Sequence, residues 1–282
     1  MTAALWNHLR EMALLGAFAA TIGSLAGLGG GFIVAPALRL LFDVPPDEAA
    51  ATSLVLVLAN VLSASVAFVR QGRVDLRLAA IVGVAAIPTS ILGAFAVRHA
   101  DGTSFDLLYA GMLAFFALTL LRRGPQGTIG RIARVPGSHE RVFADRVDGI
   151  TYRYVENVPL AAGTGLVTGF LSSFFGIGGG TVVVPVLIRF FAMPAHVVSA
   201  TSHVIILFST PFGVAAHAYA GDIVWGDAVP LALGGLVGGQ AGAWISKRLS
   251  GVVLVRIVAI VLGAASASLF FQHVGALWIA HH

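Results

Sequence analysis

Two stretches of this chain are near copies of each other. GLGGGFIVAPAL runs from Gly27 to Leu38, and GIGGGTVVVPVL runs from Gly176 to Leu187. Sliding the sequence so that Gly27 meets Gly176 brings more features into register without a gap. Pro45 meets Pro194, the Ala-Thr-Ser triplet Ala51–Ser53 meets Ala200–Ser202, and Gly72 meets Gly221. Small apolar residues match by chance, but a glycine triplet, two prolines and a polar triplet in one register do not. The chain is expected to be two homologous repeats, 1–122 and 158–282, joined by segment 123–157. One fold is then built twice, and the worst helix formers sit in an apolar run both times.

The runs themselves set the solvent. In the first half they cover about 11–27, 31–42, 48–69, 77–98 and 104–121; in the second about 158–175, 180–192, 197–219, 227–247 and 252–271. Several approach or exceed the ~18 residues that mark a spanning helix. Only 11% of residues are charged and 57% are hydrophobic, where a soluble domain carries about 25% charge. Mean hydropathy is +0.91. The expected fold is an all-α polytopic membrane protein. The pieces flanking the glycines are short: about 12 residues of helix rise about 18 Å, against a hydrocarbon core of ~30 Å. Each half is therefore expected to hold a glycine-broken helical hairpin of half-helices, plus about three spanning helices.

Loop charges predict orientation. Loop 70–77 holds Arg70, Arg73 and Arg77 against Asp75, so the positive-inside rule places it in the cytoplasm. Its repeat partner, 219–227, holds Asp222 and Asp227 and no base, and belongs outside. Lys247 and Arg248 are basic, whereas the partner region Arg98 to Asp101 is mixed. The linker, with seven arginines against four acids over 122–157, should be cytoplasmic. Its glycines and prolines suggest a solvated tether. Together these charges predict two inverted repeats with both termini external. Inverted repeats are a frequent architecture of secondary transporters, whose sites lie between the halves. The net charge of +4 is explained by these loops rather than by nucleic acid. The start of the chain, with AFAA as a cleavage-like site, resembles a secretory signal, but its counterpart deep in the sequence argues that it stays. His281 and His282 receive no role.

Irregular backbone is tolerated at membrane depth where it lines a cavity or is buried in protein. In each half a helix is expected to begin just after the glycines, and free N–H groups at a helix start attract anions. Gly29, Gly30 and Gly31, with Gly178, Gly179 and Gly180, are thus candidate substrate-binding residues for a small oxyanion. Thr52, Ser53, Thr201 and Ser202 can add hydroxyl donors, and Asn60, Ser209 and Thr210 can line the path. The competing explanations are tight helix packing for the glycines and bonds to the preceding turn for the hydroxyls. His203 faces Leu54 in the repeat register and is ionisable inside an apolar segment, which makes it the proton-coupling candidate. His217 is a weaker one. Arg39 and Arg189, near the ends of the short helices, either snorkel to the interface or attract anions. Gln240 is a polar residue within a span.

At these motifs the sequence resembles the TauE/SafE family of sulfite exporters, in the toluene-sulfonate uptake permease superfamily. The matching features are GLGGGFIVAPAL with ATSL, and GFLSSFFGIGGGTVVVPVL with ATSH. The resemblance covers nearly the whole chain and implies an inner-membrane transporter of small sulfur-containing anions such as sulfite, sulfoacetate or related sulfonates. Its motif positions carry over to Gly27, Gly29–Gly31 and Pro36, to Gly176, Gly178–Gly180 and Pro185, and to both ATS triplets.

No H-E-x-x-H or G-x-S-x-G motif supports an intramembrane enzyme, and GLGGGF lacks the context of a dinucleotide fingerprint. The chain has no cysteine, which removes thiol chemistry and cysteine-ligated metal. No cofactor and no metal are expected. Partners are a small anion, protons and the lipid bilayer, with no nucleic acid and no indication of a homo-oligomer. An anion channel using the same helix starts is the alternative to a proton-coupled secondary transporter.

Overall fold

The computed structural model describes residues 2–121, 136–144, 149 and 151–280. The first half comprises α1 (Thr2–Ala26), α2 (Gly31–Phe42), α3 (Pro46–Gln71), α4 (Leu76–Ala96) and α5 (Gly102–Leu121). The second half repeats the order with α6 (Val158–Phe175), α7 (Gly180–Arg189), α8 (Ala195–Ala220), α9 (Trp225–Ser246) and α10 (Gly251–Ala280). Among the described residues, eight helices are long and apolar enough to cross a membrane; α2 and α7 are the short ones. The element order matches the expected all-α polytopic fold, with one correction. The pieces before the glycines are not half-helices. α1 has 25 residues and α6 has 18, enough for about 37 and 27 Å of rise. Polar Thr2–Arg10 extends α1 well ahead of its apolar run, which hydropathy alone could not report.

Local chemistry sets the boundaries. Pro46 opens α3, where its missing N–H costs nothing. Asp75 caps α4 by accepting the N–H groups of Arg77 and Leu78, and Asn157 caps α6 by accepting that of Leu160. α2 and α7 close alike: Val44 N–H donates to Leu38 and Met193 N–H to Leu187, both at 3.2 Å. These closing turns put Asp43 and Ala192 at φ 53°, a left-handed conformation usually left to glycine.

The halves do not sit side by side. α1 packs on α9 of the other half, and α6 packs on α4. α3 contacts α9 and α8 contacts α4, while α3 meets α8 and α5 meets α10. Each of these pairings is matched under exchange of the halves. Glycines let the exchanged pairs approach. A Cβ on Gly234, Gly238 or Gly242 of α9 would fall 2.1–2.4 Å from an α1 carbonyl oxygen. Gly165 and Gly169 of α6 stand equally close to Val82 and Ala86 of α4. Small residues at these positions are the packing device of membrane helices.

The linker is not a free tether. Ser138–Ala144 (β1) and Thr151–Asn157 (β2) form an antiparallel hairpin, Ser138 opposite Asn157 and Ala144 opposite Thr151. Its far end is exposed, but Tyr154, Val155, Glu156 and Asn157 are buried. Tyr154 Oη donates to Asp75 Oδ2. Arg141 pairs with Glu156 at 2.8 Å and Asp75 at 3.2 Å, and Val155 N–H donates to the carbonyl of Phe191. Tyr154 joins the main apolar core, with Phe143 and Tyr152 against it. Aromatic residues interleaved with charges gave this segment a packed face that its overall polarity concealed. Gly124, Pro125, Gly127 and Gly130 lie outside the described residues.

Candidate substrate site at the paired glycine breaks

Each break is a left-handed turn followed by a helix start. Gly30 (φ 92°) precedes α2 and Gly179 (φ 76°) precedes α7. A side chain is excluded twice over at Gly30, by φ and by the carbonyl oxygen of Ala19, 2.8 Å from the place of a Cβ. The two breaks pack on each other. A Cβ on Gly31 would lie 2.1 Å from the Gly176 carbonyl oxygen, and one on Gly180 would lie 2.3 Å from that of Gly27. The starts of α2 and α7 therefore meet at the centre of the molecule.

The ATS triplets hold this meeting together by crossing between halves. Ser53 Oγ donates to the Gly176 carbonyl at 2.9 Å, and Ser202 Oγ donates to the Gly27 carbonyl at 2.7 Å. The threonines fasten the far helices. Thr201 Oγ1 accepts the N–H of Asp75 at 3.0 Å, and Thr52 Oγ1 accepts that of Val224 at 3.1 Å. All four are buried. Their hydroxyls are engaged between the repeats as well as on their own helices, where Ser53 and Ser202 also donate one turn back. Asn60 belongs to the same cluster: its Nδ2 donates to the Gly29 carbonyl at 2.8 Å, while its Oδ1 accepts from Ser24 at 2.6 Å. Ser209 lies apart, its carbonyl accepting from Ser90.

His203 is fully buried. Its Nδ1 faces the Ser199 carbonyl at 2.9 Å, which assigns the proton to Nδ1 and leaves the Nε2 lone pair open. Nε2 has no hydrogen-bond partner among the described residues, and the ring packs against Phe68 with centroids 5.0 Å apart. His217 bridges Asp222 Oδ2 and the Ser173 carbonyl. Arg39 neither snorkels nor stands free for an anion: it forks onto Asp106, Nε to Oδ1 at 3.0 Å and Nη2 to Oδ2 at 2.7 Å. Arg189 is exposed. Gln240 donates to the Ser63 carbonyl on an exposed face.

Three residues at the second break were not singled out from sequence. Thr168, Ser172 and Thr181 are buried, and none of their hydroxyls has a hydrogen-bond partner among the described residues. Thr168 and Ser172, one turn apart on α6, face Gly179: its Cβ would lie 2.5 Å from Thr168 Cγ2 and 3.4 Å from Ser172 Cβ. The signal was present as mismatch, since the repeat register sets them against Ala19, Gly23 and Phe32.

Among the described residues, eight helices long and apolar enough to cross a membrane, with two broken helix starts between them, define a multi-pass membrane protein. Residues 12–269 match the model of the family described as "Sulfite exporter TauE/SafE", and the chain belongs to that family. It is 31% identical over 268 residues to "Probable membrane transporter protein YunE" of Bacillus subtilis (strain 168), covering 93% of this chain and 97% of that protein. A "Probable membrane transporter protein" of Xylella fastidiosa (strain Temecula1) is 27% identical, covering 87% of this chain and 91% of its own length. "Probable membrane transporter protein ORF9" of Sinorhizobium sp is 25% identical, over 97% and 98%. No solved structure shows significant similarity to the chain.

Proposed function

We propose that this membrane transporter is a secondary transporter of small sulfur-containing oxyanions, sulfite, sulfoacetate or related sulfonates, driven by the proton gradient of the inner (plasma) membrane. The observation that carries the reading is the contact between the two glycine breaks. It brings the N-terminal ends of α2 and α7, each with free N–H groups, to one buried place between the halves. Such ends favour negative charge without a basic side chain. Gly29–Gly31 and Gly178–Gly180 supply the backbone. Ser53 and Ser202, now bonded across to glycine carbonyls, are released as the halves part and can then donate to the anion.

The repeats in this reading are inverted, the linker is cytoplasmic and both termini are external. The doubled pattern of helix contacts supports a rocking of one half against the other around a fixed site. His203 carries the coupling proton at Nε2, since the Ser199 carbonyl already holds its other nitrogen.

Reconstitution of the full chain in liposomes tests this. Uptake of sulfite, sulfoacetate, thiosulfate and sulfate is measured with and without an imposed pH gradient. Flux of at least one of the sulfur anions that rises with the gradient, and loses that dependence in His203→Ala, is the expected result. Electrogenic current indifferent to the gradient would indicate a channel instead. Gly30→Val and Gly179→Val should abolish flux in protein that still inserts.

A further inference from the structure

The two breaks are equivalent in backbone but not in chemistry. Around Gly179 stand Thr168 and Ser172 of α6, with Thr181 at the second position of α7. All three are at most 1% exposed and carry hydroxyls without a partner. A hydroxyl on a helix normally returns to the carbonyl one turn back. Thr164, one turn before Thr168, does so, donating to Leu160 at 2.8 Å. Three such exceptions on the two helices that flank one break stand out, because a buried unpaired polar group costs stability.

The first break has no such set. Ala19 and Gly23 stand where Thr168 and Ser172 do, and buried Phe32 stands where Thr181 does. α1 closes directly on the turn: a Cβ on Gly23 would lie 2.2 Å from Gly30 N. Beyond side chains already bonded across to its carbonyls, the first break therefore offers backbone and a wall. The second adds three unpaired hydroxyl donors to its backbone N–H groups.

We infer that the substrate anion is bound asymmetrically, its oxygens held at the start of α7 by the hydroxyls of Thr168, Ser172 and Thr181 and by the N–H groups of Gly180 and Thr181. This rests on the reading of the helix starts as the substrate site and sharpens it to one of the two. The donors are neutral, so the ligand class is a small oxyanion that accepts at each oxygen, as a sulfite ion or sulfonate headgroup does. Val57 lies on the other side of the break, with Cγ1 2.4 Å from the place of a Gly178 Cβ, and leaves an apolar wall for the rest of the ligand. The contact of Gly179 with Thr168 is tight, so an anion reaches these donors when α6 and α7 separate.

The test uses the full chain in detergent and in liposomes, with sulfite and sulfate as probes. Thr168→Val, Ser172→Ala and Thr181→Val keep shape and remove one hydroxyl each. Thr164→Val, whose hydroxyl is already satisfied, is the control, and Thr181→Ser is the conservative replacement. Each of the three deletions should melt no lower than wild type without anion, because it removes an unpaired polar group. Each should weaken the anion-dependent rise in melting temperature and raise the transport KM by about tenfold, the loss of one charge-assisted hydrogen bond. Thr181→Ser and Thr164→Val should bind within about twofold of wild type. Wild-type affinity in all three deletions, in protein that transports, would overturn the asymmetric site and leave the transport function standing. Deletions that melt lower without anion and bind normally would make the hydroxyls structural. A wild-type chain that neither binds nor moves any probe would overturn both.

Discussion

The hydroxyl of Ser53 in α3 donates to the carbonyl of Gly176, 2.9 Å away in the opposite repeat. Ser202 and Gly27 make the same bond in reverse. The polar triplets thus clamp the partner's glycine break, and their register in sequence follows from this exchange. Ser53→Ala and Ser202→Ala each strand a buried carbonyl, at a cost of about 1–3 kcal/mol. The melting temperature of the solubilised chain should fall in each. The double variant should depart from additivity, because both bonds hold one contact between the breaks.

Arg39 and Asp106 join α2 to α5 through a two-pronged ion pair, its side chains 15% and 4% exposed. Arg39 also donates to the Val44 carbonyl at 2.8 Å, tying the closing turn of α2 to the same pair. Asp106→Ala leaves a guanidinium without its partner and should destabilise by about 3 kcal/mol. Replacing both, as Arg39→Met with Asp106→Leu, should recover much of that loss. Thermal denaturation of the two variants decides the matter.

Ala192 closes α7 at φ 53° without being glycine. Left-handed backbone costs an L-residue about 1–2 kcal/mol. Ala192→Gly should relieve part of this and raise the melting temperature, after allowing for the extra freedom glycine gives the unfolded chain. An unchanged or lower melting temperature would show that the strain relieved is no larger than that entropic cost.

Arg77 and Gly226 occupy equivalent positions after α4 and α9 begin, and both are exposed. The chain has no cysteine, so Arg77→Cys and Gly226→Cys each introduce a single thiol. In sealed vesicles an impermeant maleimide should label the two from opposite sides. Labelling of both from one side would refute inversion of the repeats.

Much of this arrangement is legible in the sequence. The glycine and ATS registers point to two repeats, and the apolar runs locate the long helices. What sequence alignment hides is exchange. It sets Ser53 beside Ser202, whereas the contacts run from Ser53 to Gly176 and from Ser202 to Gly27. Thr168, Ser172 and Thr181 do not stand out in the repeat register because they are differences from Ala19, Gly23 and Phe32 rather than identities. The hairpin of the linker was missed for another reason: its burial comes from Tyr154 and Val155, too few apolar residues to stand out among arginines and acids.

The packing of α1 onto α9 and of α6 onto α4 bears on how much of the chain can stand alone. In a chain cut within the linker, the faces that α1 and α4 bury would lie open, and a fragment carrying α6 and α9 would be needed to cover them.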